Sequence, residues 1–320
     1  MVNLSELSEY INKSIEELPY PQRPANLYNP IKYTLSAGGK RLRPTLLLSV
    51  VSALGGDVEK ALPQALGLEM FHNFTLLHDD VMDNADVRRG RPTVHRKWDE
   101  NTAILSGDAM LTMATQLISD CDDKHIKPII NLFNRTAMEV YEGQQYDMDF
   151  ETRNDVTVEE YIEMIKLKTS VLLACACKMG AILADADDTT ANAFYEYGLT
   201  LGLGFQLQDD YLDTYGDPLI FGKQIGGDIL NDKKTWLLIT ACNEDNSGTL
   251  QRALKGDIEG QQKIDAVRGV YDSLNLQERI GELVASFADK AIAALNKVDI
   301  TAESRNYFIS LANKLTARAN

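Results

Sequence analysis

Residues 61–83 read ALPQALGLEMFHNFTLLHDDVMD: apolar side chains return every three or four positions, and the run then stops on three aspartates. That period belongs to an α-helix, which brings positions three and four apart onto one face. Asp79 and Asp83 stand four apart, so their β-carbons stack about 6 Å from each other. Like charges at that spacing repel, and the partial negative charge of a helix C-terminus adds to the repulsion.

The same period extends over most of the chain, through about 40–54, 101–119, 126–148, 158–183, 189–213, 231–243, 262–295 and 302–317. Strand-like alternation of useful length is hard to find. Near the start, Ile11, Ile15 and Leu18 form a stripe that the prolines of residues 19–30 break. Other breaks fall at Gly55-Gly56, 84–93, 120–124, 149–156 and 214–228, with no internal repeat and no low-complexity tract. The expectation is one compact all-helical domain over residues 1–320.

A second acidic cluster, Asp209-Asp210-Tyr211-Leu212-Asp213, repeats the pattern Asp-Asp-x-x-Asp. Leu199, Gly202, Gln206, Asp209 and Asp213 share one helical stripe that turns from apolar to acidic, which suggests a greasy cavity with a charged mouth. A hard divalent cation would offset the repulsion, and magnesium, bound through one or two carboxylates plus substrate phosphates, suits these ligands. Neither cluster has the alternating ligands, central Gly and terminal Glu of an EF-hand loop. A solvated acidic helix end is the alternative for either cluster alone, and the repeated pattern argues against it.

Composition narrows the ligand. In 320 residues, 32 Lys and Arg face 47 Asp and Glu, a net charge of −15, so the surface as a whole repels nucleic acid and an anionic substrate needs local cations or metal ions. Those cations concentrate in Gly38-Gly39-Lys40-Arg41-Leu42-Arg43-Pro44 and Arg88-Arg89-Gly90-Arg91-Pro92, with Lys168-Thr169, Lys223 and Lys233 further on. Arg supplies a planar fork of donors and Lys a compact charge, while glycines let backbone amides approach a phosphate. Solvated basic loops and lysines snorkelling to the surface are the bland alternatives. Together the features describe a ligand with a polyanionic head and a hydrocarbon tail. Four cysteines are too few for a disulfide framework, and Cys175 and Cys177 read as buried thiols. With no span of uncharged apolar residues and no basic-then-apolar leader, a cytoplasmic protein is expected.

From Gly38 to about Trp236 these residues resemble the trans-isoprenyl diphosphate synthase family, which includes farnesyl and geranylgeranyl diphosphate synthases. Gly-Gly-Lys-Arg-x-Arg-Pro, the first aspartate motif with its trailing Arg-Arg-Gly-x-Pro-Thr, Gly143-Gln144 with Asp147, Lys168-Thr169, Gly202-x-x-x-Gln206-x-x-Asp209-Asp210-x-x-Asp213 and Gly222-Lys223 follow in the family's order. The resemblance implies the isoprenoid synthase type I fold, a single all-α domain of antiparallel helices around a deep central cavity, as a homodimer. It implies that Asp79, Asp83 and Asp209 hold about three magnesium ions on the allylic diphosphate. Arg88, Lys168 and Lys223 would contact that diphosphate too, with Lys233 nearby. Lys40, Arg43, His72 and Arg89 would hold the diphosphate of isopentenyl diphosphate. Thr169 and Gln206 would line the reacting region, and Asp80, Asp210 and Asp213 would act behind the ligands or through water. His72, two turns before Asp79 on the same face, fits ligand binding; His78, His95 and His125 have no comparable case.

In this family the residues four and five before the first motif, here Thr75 and Phe74, help set the cavity floor. Five residues of helix rise about 7.5 Å. An aromatic at 74 without one at 75 leans the product towards twenty carbons rather than fifteen. Residues 307–318, with Lys314 and Arg318, would either fold over the charged mouth or form a solvated helix. Rival readings are a terpene cyclase or head-to-head synthase, which needs no isopentenyl diphosphate site, and a noncatalytic partner subunit, which would lose part of an aspartate motif.

Overall fold

The computed structural model describes residues 4–216 and 225–316, and these are helical almost throughout; among them only a two-stranded hairpin is β-structure. The chain forms two compact units, Met1–Phe133 with Ala176–Ala191, and Asn134–Cys175 with Asn192–Asn320. Lys223 and Arg318, two cations singled out above, lie outside the described residues.

In the first unit, α1 (Leu4–Glu16), α2 (Ala25–Leu35), α3 (Leu42–Ala53) and α4 (Leu62–Met82) lead to strands β1 (Val87–Arg88) and β2 (Arg91–Pro92). Then come α5 (Val94–Lys97), α6 (Glu100–Ser119) and α7 (Asp123–Thr152), whose second part belongs to the other unit. The prolines of 19–30 do not keep that stretch from helix: α2 starts directly after Pro24 and carries Pro30 inside, buried beside Ile31 and Leu35. Apolar burial on that face outweighs the one backbone hydrogen bond that Pro30 forfeits.

α4 is buried on more than one stripe, so its polar residues require internal partners. Glu69 accepts from Arg41 at 2.7 Å, Asn73 donates to the Glu69 carbonyl at 2.8 Å, and Gln64 donates to Asp120 O at 2.6 Å. Gln64 at the start of α4 thus meets the end of α6, while His78 near its end meets Ile104 at the start of α6. The two helices are antiparallel. At Gly67 they touch so closely that a β-carbon would sit 2.6 Å from Ile118 Cγ1.

The second unit continues through α8 (Val158–Ile165), a widened π-helical turn (Lys166–Ser170), α9 (Val171–Leu183) and α10 (Asp188–Tyr215), the last two also contributing residues to the first unit. It ends with α11 (Gly227–Leu230), α12 (Trp236–Glu244), α13 (Thr249–Leu254), α14 (Gly260–Ser273), α15 (Leu276–Ala294) and α16 (Ala302–Thr316). Its core gathers Tyr161, Met164, Leu207, Tyr211, Leu237, Val267, Tyr271, Ile280 and Val284. The periodic run 262–295 is two helices, parted at Asn275, whose left-handed backbone (φ 54°) caps α15. The terminal helix α16 is docked rather than solvated: Phe308 is buried and its carbonyl accepts from Tyr197 Oη at 2.8 Å. Lys314, on the same helix, is exposed. Cys175 and Cys177 are buried as expected, whereas Cys242 is exposed.

Candidate active site

In the first unit, α4 delivers Asp79 and Asp80 in its last turn and ends on Asp83, whose N–H still reaches Asp79 O at 2.8 Å. The loop that follows folds into the β1–β2 hairpin, with Arg88 opposite Arg91 and a two-residue turn of Arg89 and Gly90, both at positive φ (52° and 73°). Such a turn matches the strand twist, and successive residues along the extended chain point to opposite faces. Arg88 therefore returns to the aspartates, donating from Nε to Asp80 Oδ1 at 2.5 Å and from Nη2 to Asp79 Oδ2 at 3.2 Å. Arg89 instead donates to the carbonyl of Gly38. Gly39 (φ 136°) makes room for it, since a β-carbon there would lie 2.9 Å from the Arg89 guanidinium.

Beside Arg89 lie Arg43 and His72. Burial pushes the His72 imidazole well below its ordinary value, and the charges of Arg43, Arg89, Arg88 and Arg41 push it the same way, so it stands as a neutral hydrogen-bonding ring. Burial also lowers Arg43 to about 10, still cationic at neutral pH, and its Nε is buried without a hydrogen-bond partner among the described residues. Crowded cations with a buried, orphaned donor on Arg43 fit an incoming anion. Lys40 is exposed on the same loop. Arg41, though part of the basic segment, is a strut: 4% exposed, it bonds Glu69, Leu35 O and Asn12.

Two further sequence-predicted positions sit just below. Phe74 is buried, with its ring 5.6 Å from Phe71 and 4.8 Å from His78, and the Thr75 hydroxyl donates to His72 O at 2.8 Å. His78, to which the spacing assigns no role, bonds Ile104 O through Nε2 at 3.1 Å and fills the space left by Gly107, where a β-carbon would fall 2.2 Å from it. It fastens the aspartate-bearing turn to α6.

In the second unit, the π-turn carries Lys168 and Thr169 between α7 and α10. Glycines permit this approach: a β-carbon at Gly143 would lie 2.3 Å from Lys168 N, and one at Gly202 would lie 2.6 Å from Ser170 Cα. Lys168 Nζ pairs with Asp147 at 2.6 Å, and Thr169 Oγ1 donates to Gln206 Oε1 at 3.1 Å. Gln206 Nε2 in turn donates to Asp210 Oδ1 at 3.0 Å, and the other Asp210 oxygen accepts from Tyr161 Oη. Desolvation pushes the Asp210 carboxyl up to about 7, against the lowering field of Lys233. Burial, then the Asp210 charge, holds the Tyr161 phenol protonated far above its ordinary value.

Lys233 is brought among acids. Its side chain is 41% exposed; the partial desolvation it suffers would depress it, but Asp228, Asp210, Asp147 and Asp209 together outweigh that and hold it above the usual lysine value. Asp213 has a different task. Its carboxylate accepts from Asp228 N at 2.9 Å and its carbonyl from Gly226 N at 2.6 Å, so it pins the segment that presents Asp228 and Lys233. Sequence spacing identifies neither this tie nor the Tyr161 contact.

The carboxylates fit a hard divalent cation. Among the described residues no three His, Cys, Asp or Glu side chains converge into a closed cage; magnesium held by one or two carboxylates and phosphate oxygens needs none.

The family model for polyprenyl synthetase matches residues 24–273. The chain is 42% identical to the geranylgeranyl diphosphate synthase of Methanosarcina mazei over 79% of this chain and 76% of that protein. A crystal structure of a geranylgeranyl pyrophosphate synthase, 42% identical, superposes with a TM-score of 0.94 over the full length of both chains. The geranylgeranyl pyrophosphate synthase of Corynebacterium glutamicum, solved with isoprenyl diphosphate and magnesium, is 26% identical with a TM-score of 0.89, covering 100% of this chain and 99% of that one. No helix among the described residues is long and apolar enough to cross a membrane.

Proposed function

Since the chain belongs to the polyprenyl synthetase family and is a prenyltransferase that joins its units head to tail, we propose that it condenses isopentenyl diphosphate with an allylic diphosphate to give geranylgeranyl diphosphate and pyrophosphate. The observation that carries this reading is the parting of Arg88 and Arg89. One guanidinium serves the aspartates, the other a separate cationic cluster with Arg43 and His72. Two anion sites of different make suit two diphosphates. A cyclase takes one diphosphate and a head-to-head synthase two allylic ones, so neither needs a separate site for isopentenyl diphosphate.

In this proposal Asp79, Asp83 and Asp209 hold magnesium, about three ions with substrate bound, and these supply Lewis-acid neutralisation of the leaving diphosphate. Arg88 swings from Asp79 and Asp80 to the allylic diphosphate, joined by Lys168, Lys223 and Lys233. Lys40, Arg43, Arg89 and the neutral His72 N–H hold isopentenyl diphosphate and orient its double bond. As the allylic carbon becomes cationic, the Thr169 and Gln206 oxygens face it with negative dipole ends, the electrostatic stabilisation that dominates such steps. The proton is lost to the departing diphosphate. The family match spans segments of both compact units, which supports a single catalytic domain, and a cytoplasmic homodimer completes the proposal.

Asp79→Ala and Asp209→Ala are expected to lower turnover at least ~10²-fold, as loss of a principal electrostatic group does. Pyrophosphate release, assayed with isopentenyl diphosphate, each allylic starter and magnesium, checks this, and near-normal rates would overturn the assignment. Chain-length analysis of the same reactions tests the twenty-carbon product.

A further inference from the structure

We infer that Tyr161 is a positioning residue that, through Asp210 and Gln206, fixes the direction in which the Thr169 hydroxyl presents its oxygen to the reacting centre; the inference rests on the prenyl-transfer reading of that centre.

The donors of this hydrogen-bond chain converge on Asp210. Tyr161 Oη donates to one Asp210 oxygen, and Gln206 Nε2 donates to the other at 3.0 Å. With both Asp210 oxygens accepting, one from Tyr161 and one from Gln206, the Gln206 amide turns its N–H₂ towards Asp210 and its carbonyl towards Thr169. Thr169 is then obliged to be the donor of its 3.1 Å bond to Gln206. With its proton committed, the hydroxyl has only lone pairs left for anything else nearby. For a carbon that becomes cationic, that is the useful face.

Tyr161 is the far anchor. It is 1% exposed and Asp210 3%, so neither can substitute water for the other without opening the core. Gln206 and Asp210 stand four apart on α10 and share a face. The phenol comes from α8, and the π-turn that follows carries Thr169 to the other end of the same relay. Without the phenol, one buried Asp210 oxygen loses its donor, the carboxylate is free to rotate, and Gln206 can flip. The Thr169 proton would then no longer be committed.

The test is a double-mutant cycle on the full chain. Tyr161→Phe is expected to lower kcat about tenfold, the scale of one hydrogen bond to a charged group, while KM for both diphosphates stays within about threefold. In a Thr169→Val background the same substitution should cost nothing further, because the group it orients is gone. A merely structural tyrosine would give losses that multiply. Multiplicative losses, or a folded Tyr161→Phe protein with wild-type kcat, overturn the inference. Should Tyr161→Phe fail to fold, 4-aminophenylalanine at position 161 keeps the shape and an N–H donor; kcat within about threefold of wild type supports the relay and a larger loss in the folded protein overturns it. If the wild-type chain releases no pyrophosphate, the functional reading itself has failed rather than the relay.

Discussion

The guanidinium groups of Arg88 and Arg89 leave adjacent Cα atoms yet end in different chemistry, because Arg88 closes the strand and Arg89 opens the turn, and successive residues of extended chain point to opposite sides. Such single-residue facts decide most of the site. Desolvation and the charges of four arginines keep His72 neutral, and the charges of four aspartates hold Lys233 protonated. Arg41 looks like a substrate cation in the sequence and is instead committed to Glu69. Phe74 is the residue on which product length is expected to turn. It packs tilted against Phe71 and edge-on to His78 beneath the aspartate-bearing turn, so Phe74→Ala should both lengthen the products and destabilise the protein by about 3 kcal/mol. Product analysis and denaturant unfolding read the two effects separately. An unchanged chain-length distribution with the stability loss intact would leave Phe74 as ordinary packing.

At the level of elements, the glycines of the motifs have steric work that their spacing does not announce. Gly143 and Gly202 leave no room for a β-carbon against the backbone of the π-turn, and backbone cannot step aside as a flexible side chain can. Gly202→Ala is therefore expected to cost about 2 kcal/mol by overpacking and to lower kcat more than KM, since it shifts Thr169 against Gln206. Gly269 is the control. It lies in α14 with nothing within 4 Å of where a β-carbon would stand, and Gly269→Ala should stabilise the helix by up to about 1 kcal/mol. Denaturation midpoints of the two variants should move in opposite directions. Most helices were legible from their apolar period, including α4, α6 and α10 to within a few residues of their ends. The π-turn, the hairpin and the helix across Pro30 were not, because each depends on what packs against it rather than on its own pattern.

For the whole molecule, a net charge of −15 means that a diphosphate approaches against the overall field and is held only where cations and metal ions are gathered. Magnesium together with an unreactive allylic thiolodiphosphate should therefore raise stability by about 2.7 kcal/mol at a hundredfold excess over Kd, and chelation should abolish the gain. Thermal unfolding with each component alone and with both together checks this; an equal gain from the analogue without metal would contradict the aspartate assignment. What the sequence by itself determined is the all-helical class, the two acidic helix ends and the inventory of cations, because helical period and residue chemistry act over a few neighbouring positions. Only the tertiary structure decided which cation meets which acid, which histidine is neutral and which tyrosine closes the relay to Thr169. Those depend on desolvation and on contacts between residues far apart in the chain, and no local spacing encodes either.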